Sequence, residues 1–330
     1  MTTMKYLLAA VIVAAPAAAL AGSNVWSRAL ESSDAELARR TYEENMEKGD
    51  EYAMRASSTA TSSSAKRELV RRAMMAYELA VQARPDQAEP HFRAGNLLHA
   101  AAIDCNVRTT MCQPGPHKDP GEMRRVLAHW DAFERLAPLD PRIDDRFLFE
   151  RALLHTRLGI GTDGAAQVEA AIKDYQTLID RGDFAEGGRS DWGVILSNLA
   201  ETHMMIGHLD QAIEGYRDAL RYRQGTAHYY GLAVALDRDE QGAQAREIMA
   251  ALGRGAYEAF QADVTSFQTF YVPEGEKYYY FALGAESLGL VDEAIHLWEE
   301  FLQSGASPQY QARAKANRDA LIARRARGKS

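Results

Sequence analysis

Apolar residues recur at steps of three and four along most of the chain, with polar positions on the opposite face of a 3.6-residue period. Between Ser197 and Leu220 ("SNLAETHMMIGHLDQAIEGYRDAL") the period breaks once, near Gly207-His208, and again around Gln224-Gly225. That pattern predicts two amphipathic helices joined by a tight turn. Gly207 takes the turn, and Asp210 opens the second helix, where a carboxylate meets exposed amides. Ala200 and Ala212 fall where the paired helices cross. A methyl group there lets the backbones approach to the short end of the usual ~8–10 Å. Tyr216 fills the space beside that crossing.

The same grammar returns twice downstream. "YYGLAVALDRDEQGAQAREIMAAL" offers Ala233, Ala245, Met249 and Leu252, and "YYYFALGAESLGLVDEAIHLWEEFL" offers Ala282, Gly289, Ala294, Trp298 and Phe301. Upstream the match is looser, through Ala73, Tyr77, Ala80 and Pro85, then Gly95 and Leu98, then Phe133, Leu136 and Pro141, then Ala152, His155 and Gly159. At the ends, Asp34 to about Met54 reads as a long opening helix followed by the flexible turn "SSTATSSS". Pro308 to about Arg325 reads as a helix that covers the last pair, which serial helix arrays need because their terminal faces are otherwise bare.

The spacing resembles the tetratricopeptide repeat, a helix–turn–helix unit of about 34 residues. Leu196, Leu199, Ala200, Gly207, Ala212, Tyr216 and Ala219 match its pattern, with His203 in place of the usual tyrosine. Tyr229, Leu232, Ala233, Leu236, Ala245 and Met249 match in the next unit, and Tyr278, Phe281, Ala282, Gly289, Ala294 and Trp298 in the last. The resemblance is strong from Gly193 to Phe301 and moderate back to Ala73. It implies an all-α fold: a right-handed superhelix of antiparallel helix pairs with a C-terminal capping helix. The expected organisation is N-terminal helices over 22–87, irregular repeats over 88–192, regular repeats over 193–307 and a basic cap over 308–330. An aromatic insertion at 253–274 ("GRGAYEAFQADVTSFQTFYVPE") interrupts the regular part. Tyr257, Phe260, Phe267, Phe270 and Tyr271 in it form either a local hydrophobic plug or a surface that docks a partner.

Composition and charge change this picture at three points. With 330 residues, 46% apolar, 25% charged and a formal net charge of −8, the chain is an ordinary globular one with no overall affinity for nucleic acid. The tail from Ala312 to Ser330 is the exception: Arg313, Lys315, Arg318, Arg324, Arg325, Arg327 and Lys329 face only Asp319. That is either a solvated helix or a peripheral contact for membrane or an acidic partner. At the other end, Lys5 precedes an Ala-rich apolar run to Leu20, and small residues surround Ala21. This order is that of a secretory signal over residues 1–21, cleaved near Ala21, and the expected location is periplasmic or secreted. Retention as an anchor is the alternative, though the apolar run is shorter than the roughly 20 residues a span requires. In an oxidising compartment, Cys105 and Cys112 in "CNVRTTMC" most simply form a disulfide.

No catalytic motif stands out. There is no Gly-x-Ser-x-Gly, no His-Glu-x-x-His and no glycine-rich phosphate loop. The histidines are scattered, and His155 and His203 occupy one repeat position that suits core packing rather than a metal. No cofactor, metal or small-molecule substrate is expected. What the resemblance implies instead is surface: first helices line a concave groove that holds peptides or helices. In this register Phe92, Asn96, Phe149, Leu153, Ser197, Glu201, Tyr230 and Tyr279 face that groove. The expected function is a non-catalytic protein–protein interaction scaffold of the bacterial cell envelope. Its partner is another envelope protein or peptide, held in the groove or by the insertion. The alternatives are a fixed structural subunit of an envelope or appendage complex, and an enzyme on a helical-repeat scaffold.

Overall fold

The computed structural model describes residues 15–58, 63–102, 119–160, 163–182, 189–266 and 269–327. Among these residues all regular structure is helical: thirteen α-helices and a single 3-10 turn at Pro308–Tyr310. The all-α class expected from periodicity is what they form. The signal segment as far as residue 14, the Cys105–Cys112 pair and Phe267 lie outside the described residues. The chain divides into two compact units, Met1–Ala101 with His129–Ala137, and Ala102–Ala128 with Pro138–Ser330.

In the first unit, α1 (Ala15–Ala56) and α2 (Ser63–Ala83) form a helix pair. Gly49 gives the closest approach, since a Cβ there would lie 2.4 Å from the ring of Tyr77. The buried Tyr77 donates its hydroxyl to Asp50 Oδ1 at 2.8 Å, and Arg93 donates to the same oxygen at 2.7 Å, tying α3 (Glu89–Ala102) to the pair. The second half of α4 (Pro120–Leu136) packs on α3, with the Trp130 ring over Gly95. The opening helix is longer than expected. It starts at Ala15 rather than near Asp34 and runs through Ala21, because nothing from Ala17 to Ala56 but Gly22 and Gly49 opposes a helix. No described helix is long and apolar enough to cross a membrane.

The second unit contains α5 (Asp145–Leu158), α6 (Gly164–Arg181), α7 (Arg189–Met205), α8 (Leu209–Tyr222), α9 (Thr226–Arg238), α10 (Gly242–Thr265), α11 (Lys277–Ser287), α12 (Val291–Ser304) and α13 (Gln311–Arg327). Each packs on the next in chain order. Asp144 starts the series by accepting the Phe147 amide at 2.8 Å, which satisfies one of the free donors of the first turn. The turns after α7, α9 and α11 are built alike. The amides of His208, Gln241 and Leu290 reach back to the carbonyls of His203, Leu236 and Ala285, and the residue before each has a positive φ. This is the left-handed helix stop of a Schellman turn. Gly207 (φ 81°) and Gly289 (φ 72°) adopt it without a side-chain clash, whereas the middle turn uses Glu240 (φ 62°).

Slim residues sit where the periodicity placed them. Ala200, Ala212, Ala233, Ala245, Ala282 and Ala294 are all fully buried. The Tyr216 ring fills the adjoining gap and presses on Gly231 of the next helix, where a Cβ would lie 2.2 Å from ring carbon Cε1.

The segment at 253–274 departs from the expected insertion. Helix α10 continues through it to Thr265, bent at Gly253 (φ 78°, ψ 178°). Beyond the bend, Tyr257, Phe260 and Phe270 enter the core of the second unit. Of the two readings of this segment, the buried plug is what these three residues form, and they offer no open docking surface.

Candidate functional site

Most of the residues expected to face a groove are instead packed inside the chain. Phe149, Leu153, Ser197, Glu201, Tyr230 and Tyr279 are all buried. The Ser197 hydroxyl is consumed by the Val194 carbonyl at 3.0 Å. Tyr230 stacks on Phe260 with ring centroids 4.3 Å apart, and Tyr279 meets Trp298 edge-on at 4.7 Å. In the first unit, half-buried Phe92 lies on Phe133 at 4.8 Å, and Asn96 Oδ1 accepts the Trp130 indole N–H at 3.0 Å. Tyr230 and Tyr279 thus share one core cluster with Tyr257, Phe260 and Phe270, while Phe149 and Leu153 lie elsewhere on α5. Tyr271 is half-buried, its ring 4.8 Å from the Arg157 guanidinium.

What the second unit assembles instead is a set of buried charges at the ends of α5, α7, α9 and α11. Glu201 accepts the hydroxyls of Tyr216, at 2.6 Å, and of Tyr280 on the same oxygen. Burial raises its carboxyl to about 7, against the opposing pull of these hydroxyls and of Arg238. Arg238 pairs with Glu276 through Nη2, and its guanidinium lies between the rings of Tyr310 and Tyr279, 4.1 and 4.6 Å from their centroids. Burial works against the charge on Arg238, but the Glu276 carboxylate holds it firmly protonated. Beside it, Asp237 is fully buried. It accepts the Tyr279 hydroxyl at 2.6 Å, Arg313 Nη2 at 2.8 Å and Asn317 Nδ2 at 3.0 Å.

The C-terminal segment therefore does more than cap α12. Tyr310 donates to the Met204 carbonyl, Arg313 and Asn317 to Asp237, and Arg325 to Asp292 at 2.7 Å. It ties the ends of α7 and α9 and the start of α12 together. Several cations of the basic tail are engaged by acids outside or within it: Arg313, Arg325 and, through Asp319, Lys315 and Arg318.

Sequence reasoning missed Arg157, Asp237, Arg238, Glu276, Tyr280, Tyr310 and Asn317. A signal existed in "GLAVALDR", where two adjacent charges close an otherwise apolar helix that has little surface to expose them on. Among the described residues no group of three His, Cys, Asp or Glu side chains is placed to hold a metal ion. The chain matches no protein-family model and no curated protein sequence.

Proposed function

We propose that the protein is a non-catalytic interaction module of tetratricopeptide type, exported to the bacterial cell envelope, where it holds another protein. The observation that carries this reading is the repetition of one turn. The stops after α7, α9 and α11 share the same backward hydrogen bond and the same positive φ, as copies of one helix–turn–helix unit in series would. Such units supply rigid surface rather than chemistry.

The surface in question differs from the predicted groove, whose residues are consumed by internal packing. Besides Met54, helix α1 leaves Trp26, Leu30 and Leu37 in water, each more than 60% exposed. They stand four and seven residues apart, on one helical face, a spacing that suits a partner helix laid alongside.

Photo-crosslinking in the intact envelope tests the reading. A crosslinking residue at position 26 or 37 is expected to capture one discrete partner, and one at exposed Lys66 is not. Equal capture from all three positions, or none from 26 and 37, overturns it.

A further inference from the structure

In the first unit, helices α3 and α4 bring two imidazoles together. His91 Nδ1 and His129 Nδ1 lie 3.2 Å apart, with ring centroids 5.4 Å apart and ring planes tilted by 49°. Both residues are half-buried, so neither is sealed from water. Their separation is set by the residues that follow them. Phe92 lies on the ring of Phe133, and Trp130 covers Gly95 while its indole N–H reaches Asn96. The two nitrogens are thus held in place by contacts in which they take no part, as a preorganised site requires.

With a proton between them the pair makes one hydrogen bond, one Nδ1 donating and the other accepting. With both rings in the Nε2–H tautomer, two lone pairs point into the same space. An ion about 2.1 Å from each nitrogen, the usual zinc–imidazole distance, would see the 3.2 Å pair at an angle of roughly 100°. Tetrahedral coordination asks for about 109°, within a small rotation of either ring. Burial, reinforced by the charge of Arg135, lowers His91 below the usual imidazole range, so its ring is neutral at pH 7, the form that binds a metal.

We propose that His91 and His129 form an open two-imidazole site for a divalent transition ion of the zinc and copper class. Imidazole nitrogen suits these ions, whereas magnesium and calcium ask for oxygen. Among the described residues no group of three His, Cys, Asp or Glu could hold a metal, so water completes the coordination and the ion is exchangeable. On binding, the shared proton leaves Nδ1 and the same ring takes one up at Nε2 from solvent, so no net proton is released while both rings are neutral. The bound ion clamps α3 to α4. The site uses none of the exposed α1 side chains, so its failure would leave capture through Trp26 and Leu37 untouched, and the reverse holds as well.

The test titrates the full chain with zinc chloride, against magnesium chloride at equal ionic strength. At about a hundredfold excess over the dissociation constant, zinc is expected to raise Tm by roughly 5 °C, with EDTA reversing the rise and magnesium giving none. The ring-nitrogen resonances of His91 and His129 are expected to shift together, and those of His155 and His203 to stay. His91→Gln and His129→Gln, each leaving a polar side chain at a half-buried position, are both expected to lose the rise. Metal-free melts show whether each variant folds; if one does not, the resonance shifts of the natural chain decide. The proposal is overturned by a zinc response that persists in either variant, as binding at Cys105 and Cys112 would give, by an equal response to magnesium, or by the absence of both the Tm rise and the paired resonance shift.

Discussion

The Tyr310 hydroxyl donates to the main-chain carbonyl of Met204 at 3.0 Å, joining residues 106 positions apart. That carbonyl also accepts the Gly207 amide at 3.2 Å, so it keeps one partner if the phenol is lost. Tyr310→Phe is therefore expected to cost about 1 kcal/mol, the net worth of one buried hydrogen bond. Removing residues 308–330 is expected to cost at least about 3 kcal/mol, because it strips Asp237 of Arg313 and Asn317 and leaves a buried carboxylate under-satisfied. Urea unfolding midpoints for the two variants check the ranking.

Gly231 and Tyr216 are packed so closely that a single methyl has no room. A Cβ at position 231 would lie 2.2 Å from the ring, and the ring is held in place by its hydroxyl on Glu201. Gly231→Ala gains about 1 kcal/mol of helix propensity. The clash costs up to about 3 kcal/mol because the ring has nowhere to swing. A net loss of about 2 kcal/mol is expected, recovered in part by adding Tyr216→Leu. A stabilised Gly231→Ala protein in thermal melts would refute this.

Of the three matching turns, the middle one holds a side chain in the left-handed region. Glu240, at φ 62°, carries strain that Gly207 and Gly289 avoid. Glu240→Gly is expected to stabilise by about 1 kcal/mol, relief of that strain outweighing the added entropy of the unfolded chain. Gly207→Ala and Gly289→Ala are expected to destabilise by a similar amount. Melting temperatures of the three variants give the signs directly.

The parts of the fold that rest on near neighbours were legible. Ala200, Ala212 and Tyr216 lie within one helix pair, and the 3.6-residue period alone places them at the crossing. Gly207 and Gly289 were readable as turns, whereas Glu240 hid the third because its residue type argues against a positive φ. The groove was misread for a different reason. Whether Tyr230 and Tyr279 face water depends on Phe260 stacking on the one and on Trp298 and Phe301 meeting the other, and no local pattern reports that. Asp237 is the clearest case, since its partners Arg313 and Asn317 lie 76 and 80 positions away. Charges that pair over such distances read in sequence as ordinary solvated ends of helices.

Glu201 makes stability depend on pH with a sign opposite to that of most carboxylates. In the folded chain burial raises its carboxyl to about 7 from an ordinary 4.5, so between these values the native state holds a proton that the unfolded state has released. Stability from this group is complete below about pH 4.5 and is lost as pH rises towards 7, and above 7 the loss is constant. The difference of about 2.5 pH units corresponds to roughly 3 kcal/mol. Glu201→Gln keeps an oxygen for the Tyr216 and Tyr280 hydroxyls but cannot ionise. Urea unfolding at pH 5 and pH 7.5 should show the natural chain losing about 2 kcal/mol relative to this variant, since part of the loss has already occurred at pH 5. The comparison cancels the other titrating groups, including His203 and His228, whose burial favours their neutral forms and pulls stability the other way. Parallel pH curves for the two chains would mean that Glu201 stays ionised across the range, held so by Arg238 and the two phenols.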